Sequence, residues 1–116
     1  MPVLAVFDAQ GSWRDTHVCD GWITEHLAGQ GVSWGRGKKK GQRVLDSAGL
    51  FYVPTADGYL GLLLEAGEWA SMPAGKPHFF DAGEAESIEG LPAELPLFEA
   101  FVEEVLSLTG NDADEE

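Results

Sequence analysis

The sequence predicts a mainly β domain, a small barrel or sandwich, with a short helix near its N-terminus and an amphipathic helix near its C-terminus. Three observations predict it. Between Arg43 and Gly83, short apolar runs rich in β-formers alternate with Gly, Pro and Asp turn residues, the punctuation of small all-β folds. In "LPAELPLFEAFVEEVLSL", by contrast, apolar residues recur at helical intervals. The length of 116 residues and a hydrophobic content of 44% describe one domain, which buries about two-thirds of the surface its unfolded chain exposes.

Taken in order, "PVLAVFD" is short and apolar, as a buried first strand should be. In "CDGWITEHLAGQG", Asp20 reads as a cap, Ile23 and Leu27 stand one turn apart, and the glycines end the helix near Gly29 or Gly31. "VSW" starts a strand. "GRGKKKG", Gly35 to Gly41, combines three glycines with a run of like charge, which predicts an exposed loop. "RVL", "GLFYVP", "YLGLLLEAG", "EWASMP" and "HFFDAG" then read as strands, with turns at "TADG" and "AGKP". Phe98, Phe101, Val102 and Val105 share one face of the last helix, while Glu99, Glu103 and Glu104 lie mostly on the other. Pro96 suits the first turn of that helix and Gly110 its stop. The domain therefore runs over 1–110, and 111–116, "NDADEE", is an acidic flexible tail.

Charge is distributed unevenly. Residues 1–64 hold six Lys/Arg and six Asp/Glu, whereas residues 65–116 hold one Lys and fourteen Asp/Glu, so the whole net charge of −13 lies in the second part. Phosphates would be repelled there, which disfavours direct nucleic-acid binding. An acidic face of this kind either keeps the protein soluble or docks on a basic protein surface, including one that normally holds nucleic acid. No run of about 18 apolar residues exists to span a membrane. The N-terminus has no basic region before its short apolar run, so no signal peptide is expected and the cytoplasm is the default compartment. The single cysteine, Cys19, excludes an intramolecular disulfide and a cysteine-built zinc site, and its neighbours do not make a nucleophile's constellation.

The stretch from Gly67 to His78 spells G-x5-P-x-G-x2-H through Gly67, Pro73, Gly75 and His78. Gly67 permits the turn into a strand, Pro73 and Gly75 shape a hairpin, and His78 opens the next strand with its ring expected to point inward. This spacing resembles the second conserved motif of the cupin superfamily, although the final Asn of the general pattern falls at Ala82. Within cupins, Gly49 to Gly83 and the segments "PVLAVFD" and "ITEHLAGQGVSW" resemble acireductone dioxygenase, over about two-thirds of this chain. The resemblance implies a shortened, degenerate, cupin-like β-barrel. It also implies Fe(II) or Ni(II) held by an H-x-H-x3-E stretch together with the histidine of the second motif.

No H-x-H occurs in this chain. Alignment backward without gaps from "AGLF" places Trp34 and Arg36 at the two histidine positions and Lys40 at the carboxylate, and the generic cupin spacing to Gly49 places Gln42 there instead. Cations at such positions repel a divalent metal. His17 and His26 are the remaining histidines, and with His78 they would make a three-histidine site if the N-terminal segment reached the barrel mouth. The reading that follows is a metal-free, non-enzymatic binding protein, an acidic inhibitor or adaptor, with no cofactor. Two alternatives stand beside it: a diverged metal-dependent dioxygenase using His78, and an anion-binding cavity or partner arm built on Arg36, Lys38, Lys39 and Lys40. A homodimer through strand edges also stays open.

Overall fold

A computed structural model describes residues 2–37, 44–84 and 86–109. Its elements are β1 (Val3–Asp8), β2 (Trp13–His17), α1 (Asp20–Ala28), β3 (Ser33–Arg36), β4 (Gly49–Pro54), β5 (Gly58–Leu64), β6 (Glu68–Ser71), β7 (Phe79–Asp81) and α2 (Phe98–Thr109). The fold is mainly β with two helices, as the sequence predicts. All strand pairs are antiparallel. Five strands form one sheet in the order β2-β1-β5-β4-β7, and β3 and β6 form a separate pair.

The larger sheet is a middle layer. Val3, Ala5 and Phe7 of β1, with Leu50 and Tyr52 of β4, meet Phe101 and Val105 of α2 on one face. Leu4, Val53, Leu60, Leu62 and Leu64 look the other way, onto Ile23 and Leu27 of α1, with Trp34 of β3 and Ala70 of β6 at the margin. Burial on both faces explains why "VLAVFD" and "GYLGLLL" are nearly continuous apolar runs rather than alternating ones.

Strand β4 has the bounds expected of it, and the turn after it closes with Thr55 N donating to Gly58 O. Other expectations shift. Cys19, not Asp20, holds the N-cap position of α1, and no side chain caps that end. Asp20 is the first helical residue, where its negative charge meets the helix dipole favourably. The helix stops at Gly29, and Gly31 takes the left-handed turn that follows. Gly35 and Arg36 belong to β3 rather than to a loop, because they pair with Trp69 and Glu68 of β6; the Trp69 side chain fills the place that a Cβ on residue 35 would take. Val44 and Leu45 are not a strand; among the described residues, Leu45 makes backbone bonds to Gly67 and Glu68. Pro96 precedes α2 instead of opening its first turn. Gly110 and the tail 111–116 lie outside the described residues.

Candidate functional site

The motif of the second half keeps its backbone logic. Gly67 and Gly75 both take positive φ, 90° and 81°, a conformation that suits glycine. Lys76 N donates to Pro73 O, closing the hairpin turn. His78 departs from expectation: it precedes β7, is exposed, and its Nδ1 lies 3.1 Å from Lys76 O. Its ring does not enter the core.

Trp34 and Arg36 belong to a polar bracket. Trp34 Nε1 donates to Thr24 Oγ1 at 3.0 Å, tying β3 to α1. The Arg36 guanidinium lies 4.8 Å from the Trp34 ring centroid and bridges two carboxylates, Asp20 at 3.0 Å and Glu68 at 3.2 Å. Glu68 is buried, and its other oxygen accepts the amide of Glu65 at 2.7 Å. Arg36 and Glu68 are also direct cross-strand partners. The Arg36 charge expected to face an anion is thus matched by acids of its own chain. Lys38, Lys39, Lys40 and Gln42 lie outside the described residues.

His17 and His26 are brought together, but around an aromatic ring. The His17 and Trp22 ring centroids are 3.3 Å apart at 15°, and those of Trp22 and His26 are 3.7 Å apart at 14°. Two imidazoles this close to one indole would overlap if they shared a face, so Trp22 is sandwiched between them. The indole then separates nitrogens that a common metal would have to touch. Among the described residues, no group of three or more His, Cys, Asp or Glu side chains gathers to hold a metal. Among the described residues, the donors present do not fit the Fe(II) or Ni(II) centre that the resemblance implies.

The acidic segment divides into structural and surface carboxylates. Asp81 is buried, with one oxygen accepting Gly83 N and the other Phe98 N, each at 2.8 Å. It therefore caps α2 from 17 residues away. Nearby, Tyr52 Oη donates to Pro96 O at 2.6 Å, and burial, followed by the Asp81 charge, pushes its phenol well above the ordinary range. Glu84, Glu86, Glu89, Glu94, Glu99, Glu103 and Glu104 are all exposed, and no Lys or Arg follows Lys76. A cleft of about 480 Å³ at the start of α2 gathers Glu84, Glu86 and Glu99 with Asp81.

Neither Asp81 nor Glu68 was legible as structural in the sequence, since carboxylates in strands ordinarily read as surface. The only hint was their place inside apolar runs, in "EWAS" and "HFFDAG". Compared with protein-family models, curated proteins and solved structures, the chain matches none of them. No helix among the described residues is long and apolar enough to cross a membrane.

Proposed function

We propose that this chain is a non-enzymatic binding module, a shortened cupin-like barrel whose acidic face docks on a basic protein surface as an inhibitor or adaptor. One observation carries the reading: every carboxylate described between Glu84 and Glu104 is exposed, with no cation among them. The acids that the fold needs, Glu68 and Asp81, are buried and hydrogen-bonded instead. The exposed set is thus free to meet a partner, and its single sign favours fast, salt-sensitive association. The cupin-like assignment draws on the Gly67–His78 motif and on the positive φ of its two glycines.

Calorimetric titration with an arginine-rich peptide across a range of NaCl tests it. The expected result is one saturable site whose affinity falls steeply with salt. Salt-insensitive binding contradicts docking by charge. Elemental analysis of natively purified protein tests the non-enzymatic half; about one tightly held Fe, Ni or Zn per chain, lost in His78→Ala, would instead support the dioxygenase reading.

A further inference from the structure

We infer that the cleft between the β4–β7 edge and β6 receives an arginine side chain of the basic partner. The inference rests on the docking function proposed above and assigns its anchoring contact. The cleft is about 440 Å³ and is lined by Leu45, Asp46, Ser47, Phe51, Ala70, Phe80 and Ala82. That volume lies within the range of pockets that enclose small ligands, about 300–1,000 Å³.

Three features define the ligand's chemistry. First, the walls are apolar and partly aromatic. Phe51 and Phe80 are cross-strand partners with ring centroids 4.6 Å apart, and Phe80 is 41% exposed despite its size. An aromatic face left open to water is what a guanidinium plane on an apolar stem can cover. Second, among the described residues the only charged side chain in the lining is the exposed carboxylate of Asp46, with the Ser47 hydroxyl beside it. An anionic ligand would meet repulsion there, whereas a cation would find an acceptor. Third, Ala70 and Ala82 are small where larger side chains would fill the space, so room remains beside the two rings. Arginine satisfies all three features because its stem packs, its plane stacks and its fork donates to a carboxylate.

The test titrates a short peptide with one central arginine into isotopically labelled full-length protein, followed by NMR. Its controls are the same peptide carrying lysine or neutral citrulline, and phenethylamine as a free amine. The inference expects saturable shifts at Leu45–Ser47 and Phe80–Ala82, with the citrulline peptide weaker by roughly tenfold or more. Phe80→Ala and Asp46→Asn, both at exposed positions, should each weaken the arginine peptide several-fold while the remaining amide spectrum stays folded. Equal binding of the arginine and citrulline peptides overturns the assignment, and so does equal binding by wild type and Phe80→Ala. Phenethylamine binding without the peptide would also overturn it, in favour of a small-molecule site. If an arginine-rich peptide loses affinity on neutralising Glu99, Glu103 and Glu104 but not in Phe80→Ala, the acidic face stands and the cleft assignment alone falls.

Discussion

At the scale of single residues, the fold depends on polar groups that the apolar pattern does not announce. Asp81 joins β7 to the first turn of α2 through the amides of Gly83 and Phe98. Asp81→Ala leaves both amides without this acceptor in a part-buried setting and should cost about 1–3 kcal/mol, read by urea denaturation. Tyr52 supplies a pH prediction. Burial keeps its phenol protonated in the folded chain at pH values where the unfolded chain loses that proton. Its contribution is therefore complete below about pH 10 and declines as pH rises beyond it. Tyr52→Phe should flatten that alkaline decline while losing about 1 kcal/mol at neutral pH with the bond to Pro96. Chemical denaturation at several pH values separates the two effects, and an unchanged alkaline slope in Tyr52→Phe would point to another group.

At the scale of elements, legibility follows how local the controlling contacts are. The bounds of β4 and the apolar face of α2 were readable because propensity, turn residues and burial period agree there. Strand β2 was not, since "WRDTH" has no apolar alternation. It becomes a strand because Trp13 packs on Phe7 and Phe101 and because it pairs with β1. The caps and brackets were illegible for a related reason: Asp81 meets α2 across 17 residues, and Arg36 meets Asp20 across 16. Sequence spacing carries no trace of such pairs. The histidines show the same limit, because their grouping depends on Trp22 standing between them. Helix α2 offers a direct contrast between its two faces. Phe101→Ala, at a fully buried position, should cost about 3–5 kcal/mol. Glu103→Gln, at an exposed one, should stay within about 0.5 kcal/mol of wild type in the same thermal or urea melt.

At the scale of the whole molecule, the larger sheet lies between α2 on one face and α1 with the β3–β6 pair on the other, residues 1–64 are neutral in sum, and residues 65–116 carry the acidic excess. Where the resemblance implies a metal centre, the chain has built an Arg36–Glu68–Asp20 bracket that closes β3 onto β6 and α1. Glu68 and Asp81 serve the fold, and the proposed docking falls to the exposed carboxylates. General attraction of any polycation to a chain of net charge −13 would not distinguish a site from a diffuse field. A charge-matched comparison does. The arginine-rich peptide is titrated at near-physiological salt into Glu99→Gln/Glu103→Gln and into Glu25→Gln/Asp57→Asn, which remove equal charge from different surfaces. A localised acidic face predicts a loss of roughly tenfold or more, about 1.4 kcal/mol, for the first variant and little change for the second. Equal losses in the two variants would contradict it.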